Sequence, residues 1–356
     1  MHLPLLHRAG LALLPLVAAA PAAIDAPAYA PADGITLVRT FTLTQETSVD
    51  DSETLINGSS DMAPEIESDT SIVRTLAVTD RIASSAEGRP TAFERTYDTV
   101  SIDVKSPMKL SMMGQLTEAE LAFEGTSALD SRGVKFNWDA ESGSYKRAWS
   151  DDEGDTEMLE GLNEDLDMRG MLPGGDAAMG DSWEVDPAVF VDLVFAGGDL
   201  SFEMTSTGDT PPPGMGDVAD QTDGHESWEE LEDSTVTATL AEPESSGESR
   251  IAVIEFEVDI TAIADNSDDM REAIESQAPG AGVDIETATT RSFLEGKGVL
   301  KWDLAAGHAV SLTFSGEISA EQEQVASISM GGQEMAIESN TESSGTINLE
   351  VSVSAE

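Results

Sequence analysis

Period-two alternation runs through most of the chain, and it restricts the fold more than any other feature. Ile35, Leu37, Phe41 and Leu43 alternate with Thr36, Thr40, Thr42 and Thr44. Ile72, Leu76 and Val78 do the same around Arg74 and Thr75, and Phe93, Arg95, Tyr97 and Thr99 fall on one face of a further strand. Val134, Phe136 and Trp138 oppose Lys135, Asn137 and Asp139. Ile254, Phe256, Val258 and Ile260 oppose Glu255, Glu257 and Asp259. Val310, Leu312, Phe314 and Ile318 repeat the pattern, as do Ile347, Leu349, Val351 and Val353. Successive strand side chains point to opposite faces, so each segment is apolar on one side and polar on the other. That is the mark of antiparallel sheet wetted on one face. The expected fold is mainly β, with long antiparallel strands in one or two curved, half-barrel-like sheets and two or three short helices.

Helical periodicity is confined to three places. Met158, Leu159, Leu162 and Leu166 suit a helix over residues 157–168, stopped by Pro173-Gly174. Pro187 opens a second, carrying Val189, Phe190, Leu193 and Val194 and closed by Gly197-Gly198. A third runs from about Asp268 to Gln277, capped by Asn266 or Ser267 and ended by Pro279-Gly280.

The first 22 residues have the layout of a secretory signal: Arg8 near the start, an apolar run from Leu11 to Ala20, then Ala20 and Ala22 at the small-residue positions. Cleavage as late as residue 30 is compatible with the composition, but cuts after Ala26 or Ala30 place Pro next, which disfavours them. A β-rich half with short helices is expected over 33–204. A Pro/Gly/Asp-rich linker or loop follows over 205–226, and an antiparallel half over 227–356. The polar stretch 50–69 reads as a loose loop. A weak echo links the halves: Gly133 to Asp139 and Gly298 to Asp303 both end in Trp-Asp, followed by Gly143 and Gly307.

Composition removes whole classes of chemistry. With no Cys there are no disulfides, thiolate zinc sites or Cys nucleophiles. The chain carries 69 acidic and 18 basic residues, a formal charge of −51. Nucleic acid and anionic membrane surfaces both require basic patches, so neither is an expected partner. The Lys-poor, acid-rich surface suits a salty medium that screens self-repulsion. His225 and His308 stand alone behind the leader. Two isolated His cannot build a typical catalytic zinc site without carboxylate help. No phosphate-cradling or dinucleotide fingerprint is present.

Gly180-Asp181-Ser182-Trp183 resembles the nucleophile block of a class of serine esterases, but their Asp-x-x-His block is missing: Asp303 precedes His308 by five residues. Ser182 thus lacks a base. Asp151, Asp152, Asp155 and Glu157 surround Gly154 and are the candidate ligands of a weak calcium site, although they do not follow the helix-loop-helix pattern. No other cofactor is expected.

The run Met171-Leu172-Pro173-Gly174-Gly175, then Met179 to Val185, with Gly296-Lys297-Gly298 later, resembles a group of exported bacterial β-rich proteins of uncharacterised function. At the level of fold alone, the layout is similar to periplasmic lipoprotein carriers, whose half-barrels shield acyl chains. The expected function is that of an exported, non-enzymatic binding protein for an apolar molecule or an envelope protein. Met112, Met168, Met171, Trp183 and Phe190 are the candidate ligand-binding residues. The alternatives are a surface-assembly protein with acidic, calcium-binding faces and a carboxylate-based hydrolase.

Overall fold

The structure, a computed structural model, describes residues 26–60, 65–112, 115–209, 228, 230–246, 249–277, 282–330 and 333–356. The strands are β1 (Thr36–Ile56), β2 (Glu65–Ala86), β3 (Arg89–Met112), β4 (Gln115–Ser127), β5 (Arg132–Asp139), β6 (Ser144–Trp149) and β7 (Ser182–Val185). They continue with β8 (Phe202–Ser206), β9 (Leu231–Leu240), β10 (Glu244–Ser246), β11 (Ser249–Asp265), β12 (Gly282–Asp303), β13 (His308–Met330) and β14 (Gln333–Ala355). All belong to one open antiparallel sheet, ordered β6-β5-β3-β2-β1-β14-β13-β12-β11-β9-β7. β4 lies on β3 and carries β8, and β10 lies on β11. The two halves share this sheet because the first strand pairs with the last, Leu37 opposite Ala355.

Alternation places the apolar residues in rows on the inner face. One row runs Leu240, Ile254, Leu300, Leu312, Val351, Phe41, Leu76, Val100 across eight strands, each residue opposite the next. All eight are buried. In the neighbouring row Gly298 sits between Phe256 and Phe314. Those two rings stack over the glycine, 6.2 Å apart and 10° from parallel. A Cβ on Gly298 would lie 2.2 Å from the Phe256 ring. The Gly-Lys-Gly run therefore makes room for two aromatic rings.

The sheet's inner face is covered by its own chain. From Trp149, at the end of β6, residues 150–181 cross to β7 at the far side of the sheet. Helix α1 (Pro187–Val194) follows, with the Asp186 side chain accepting from the Ala188 N–H. Phe190 of α1 packs edge-on against Phe256 and Phe314 at 5.5 and 4.9 Å between ring centres.

The expected helix over 157–168 does not form. The segment holds one 3-10 turn, Glu157–Leu159, and a second, Arg169–Met171, follows it. Its backbone groups are engaged elsewhere: the Asn163 and Glu164 carbonyls accept from Arg95, and the Asn163 N–H donates to the Gly197 carbonyl. The other two helices stand where expected, α1 and α2 (Ser267–Gln277). Helix α2 packs beside β12.

Thr99 leaves the face it was expected to share with Tyr97. A bulge at Asp98 sets Ala77 opposite Thr99 but Val78 opposite Tyr97, and burial resumes at Val100. The stretch 50–69 is largely strand: β1 continues to Ile56 and β2 starts at Glu65. Of the expected linker, Thr205 and Ser206 belong to β8, and Thr207 and Asp209 bond to the β4 edge. Residues 210–226 lie outside the described residues, as do 1–25. The echoed hairpins close alike: Gly143 and Gly307 both have φ of 69° and each donates at 2.9 Å to the carbonyl of its Asp, Asp139 or Asp303.

The longest strands outrun the core. β3 has 24 residues, roughly 80 Å at about 3.3 Å per residue. In β1 no residue after Leu43 is buried. The far parts of β1, β12, β13 and β14 therefore form a blade beyond the core, with α2 and its lead-in residue Asn266 lying against β12 at Ala288 and Thr290. Among its described residues the buried side chains are small, such as Ala288 and Ala326.

Candidate functional site

Of the candidate ligand residues, the structure brings four together. Met168, Met171 and Phe190 are at most 1% exposed and belong to one continuous core with the sheet rows. Trp183 is half-buried against that core, and its indole Nε1 donates to the Met171 carbonyl at 3.1 Å. Met112 is not part of this group. It ends β3, fifteen residues beyond Tyr97, about 50 Å along the strand. The inner-face group fills space with protein side chains, and a ligand would reach it only if residues 150–200 lifted away.

Beneath this cover lies an ionic cluster that sequence reasoning missed. Asp80 on β2 is buried between Arg39 on β1 and Arg95 on β3. Arg95 Nε and Nη2 donate to its two oxygens at 2.8 and 3.0 Å, and Arg39 Nη1 donates to Oδ2. The rest of the Arg95 guanidinium donates to the Asn163 and Glu164 carbonyls at 2.8 and 3.0 Å. Arg147 pairs with Glu164 at 2.8 Å, and Arg169 pairs with Asp165 and Asp167. Burial pushes the Asp80 carboxyl up, but the charges of Arg95 and Arg39 outweigh it and hold the group below the ordinary carboxylate range. Burial raises the Tyr97 phenol and pushes Tyr145 up to about 12. An ionised carboxylate saturated by two guanidiniums is no general base. The cluster pins the crossing segment to the sheet. The alternation carried its signal: Arg39 and Arg95 occupy apolar-face positions, between Leu37 and Phe41 and between Phe93 and Tyr97.

The calcium candidates are engaged with their own loop. Asp151 Oδ1 accepts from the Glu153 N–H at 3.1 Å and from Arg132 at 3.2 Å. Asp155 Oδ1 accepts from the Glu157 N–H at 3.0 Å. Asp152 is exposed with φ of 58°. Among the described residues no three His, Cys, Asp or Glu side chains converge to hold a metal ion. Ser182 Oγ meets Thr239 Oγ1 at 2.8 Å. His308 lies at the start of β13, with β12, β11 and β9 between it and β7, and its Nδ1 is 2.7 Å from the Ala309 carbonyl. His225 lies outside the described residues.

The outer face is acidic in rows. Glu317, Glu295 and Asp259 stand directly opposite one another on β13, β12 and β11, and Glu46 lies in the same row on β1. All four are exposed. On the blade the same face hollows into a concavity of about 690 Å³. Glu53, Glu321, Glu323 and Glu338 line it, with Arg291 opposite Glu321. Leu55, Val325 and Ile263 add apolar surface. Register shifts at Val49/Asp51 and Ile285/Thr287 flank this part of the sheet, where bulges bend strands. The alternation Glu321, Glu323, Val325 was present in the sequence, but its polar members gave no sign of which face they shared.

No family model and no curated protein matches the chain. Among solved structures, the beta domain of the Bordetella autotransporter Brka aligns over 87% of this chain and 98% of its own, at 8% identity and a TM-score of 0.17. Those values are too low for the likeness to carry an argument. A membrane-spanning barrel turns an apolar band outward. Here the outward rows are carboxylates and the apolar rows face in. No helix among the described residues is long and apolar enough to cross a membrane.

Proposed function

We propose that this protein is an exported, non-enzymatic binding protein that takes a protein partner with a basic surface on the outer face of its blade. The observation that carries this reading is the carboxylate-lined concavity on a sheet face that nothing in the described chain covers. Its chemistry suits Lys and Arg side chains: their alkyl stems lie on Leu55, Val325 and Ile263 while their charged heads reach Glu53, Glu321, Glu323 and Glu338. A charge of −51 also steers a basic partner toward the protein from a distance. Between an apolar ligand and a protein partner, burial of Met168, Met171 and Phe190 favours the partner. The leader sequence supports export.

The test measures binding of a synthetic peptide of alternating Lys and Val, long enough to span the blade, in about 0.15 M salt, where the Debye length is about 8 Å. Changing Glu53, Glu321, Glu323 and Glu338 to Gln weakens binding about tenfold or more. Changing Asp151, Asp152, Glu153 and Glu157 to their amides removes the same charge elsewhere and changes affinity less than about twofold. Equal losses in both variants would mean diffuse attraction and sink the proposal. A tenfold change is about 1.4 kcal/mol, within reach of two or three well-placed charge pairs.

A further inference from the structure

The segment just behind the expected leader is integrated into the fold. Trp302, fully buried in β12, donates its indole N–H to the Ala28 carbonyl at 3.3 Å. The Ala30 N–H donates to the Gly307 carbonyl at 2.9 Å, and the Gly34 N–H to the Ile82 carbonyl at 2.7 Å. Asp33 accepts from the Ser85 N–H at 3.0 Å. Gly307 has φ of 69°, and a Cβ there would lie 2.6 Å from the Ala30 carbonyl carbon. The strap therefore depends on a glycine at the β12–β13 turn. Between these bonds Tyr29 enters the core. It is 6% exposed, its ring lies 6.4 Å from that of Trp302, and the Arg169 guanidinium stands 5.9 Å over it. Its hydroxyl is buried without a hydrogen-bond partner among the described residues. The ring thus caps the ionic cluster by filling space.

We propose that the leader is removed on the amino side of this strap, by hydrolysis of the Ala22–Ala23 peptide bond, and that residues 26–34 remain in the mature protein as a permanent seal over the ionic cluster. This rests on the export reading above. Water supplies its hydroxyl to the Ala22 carbonyl carbon and its proton to the Ala23 nitrogen. The catalyst is a membrane peptidase of the class that reads small residues one and three positions before the cut, here Ala22 and Ala20. Pro27 and Pro31 already disfavour cuts after Ala26 and Ala30, and the structure adds a second reason. A cut after Ala30 deletes Tyr29, strands the buried Trp302 N–H without its acceptor and opens the cluster beneath Arg169. A cut after Ala26 leaves a charged amine two residues from the buried tyrosine.

Cell fractionation followed by intact mass measurement and N-terminal sequencing tests this on the native protein. The expected result is an exported protein starting at Ala23. Export with a start at Pro31 overturns the proposal and leaves the export reading intact. A chain retained in the cytoplasm with Met1 in place overturns the export reading itself. Recombinant chains give a second readout. A chain starting at Pro31, or Tyr29→Ala in one starting at Ala23, melts at least about 5 °C lower, as expected when a large buried ring is lost. Tyr29→Phe melts within about 1 °C of the parent, because the hydroxyl has no partner to lose. A Pro31 chain that melts with the parent would show that the strap is dispensable and would refute the seal.

Discussion

Asp80→Asn is the substitution whose cost the structure defines best. The side chains of Asp80, Arg39 and Arg95 are 3%, 2% and 1% exposed, so none is solvated in the folded state. An amide keeps the shape but removes the carboxylate that, among the described residues, pairs with both guanidiniums. Breaking a buried ion pair from one side costs about 3–5 kcal/mol, because the stranded charge stays buried. With a urea m-value of about 3 kcal/mol per M for a chain of this size, the unfolding midpoint falls by roughly 1–1.7 M at constant m. The pH dependence carries its own sign. The folded-state Asp80 carboxyl titrates below its unfolded value of about 3.9. Its stabilisation is therefore complete above about pH 4 and is lost as pH falls through the folded value. The gap between the parent and Asp80→Asn should accordingly be widest near neutral pH and narrow in acid. Adding Arg39→Met to Asp80→Asn removes one stranded charge and recovers part of the loss. A midpoint shift under about 0.3 M, or a gap that widens in acid, would refute the assignment of Asp80 as an ionised hub.

Four further outcomes follow from the same geometry. Gly298→Ala drives a methyl into the Phe256 ring and the Thr313 carbonyl and should cost about 1–3 kcal/mol by overpacking, read by urea titration. Phe190→Ala should cost about 3–5 kcal/mol and create a cavity between Phe256 and Phe314 that binds benzene, checked by a ligand-induced rise in melting temperature. Glu295→Lys turns two like-charge pairs, with Glu317 and Asp259, into opposite ones. It should add about 1 kcal/mol at low salt, a gain that fades near 1 M, where the Debye length is about 3 Å. Millimolar calcium at physiological salt should move the melting temperature by less than about 1 °C, and a rise of several degrees would favour the surface-assembly reading.

The sequence exposed the proximal sheet because one face there is buried, which forces Leu37, Phe41 and Leu43 to alternate with Thr. It concealed the blade for the same reason in reverse. With no buried side chain in residues 46–56 and 335–346, selection for alternation disappears, and a paired strand looks like a loop. The helix expected at 157–168 had the right apolar spacing, but its carbonyls were claimed by Arg95 from a distant strand, a partner no local pattern reveals. Arg39 and Arg95 themselves were visible as charges on apolar faces. What could not be read was that Asp80, in a third alternating run, lay between them. Tyr29 was hidden because Ala and Pro on both sides match a leader as well as a strap. The outer concavity was least legible of all, since four Glu from three strands meet only through long-range register.

The central claim is that the inner face belongs to the protein's own core and that binding takes place on the outer face. Native mass spectrometry of the protein isolated from its source without detergent tests it most directly. The expected result is a polypeptide partner that leaves as salt is raised, with no small apolar molecule retained. A near-stoichiometric lipid that survives high salt would contradict it and return Met168, Met171 and Phe190 to the role of ligand contacts.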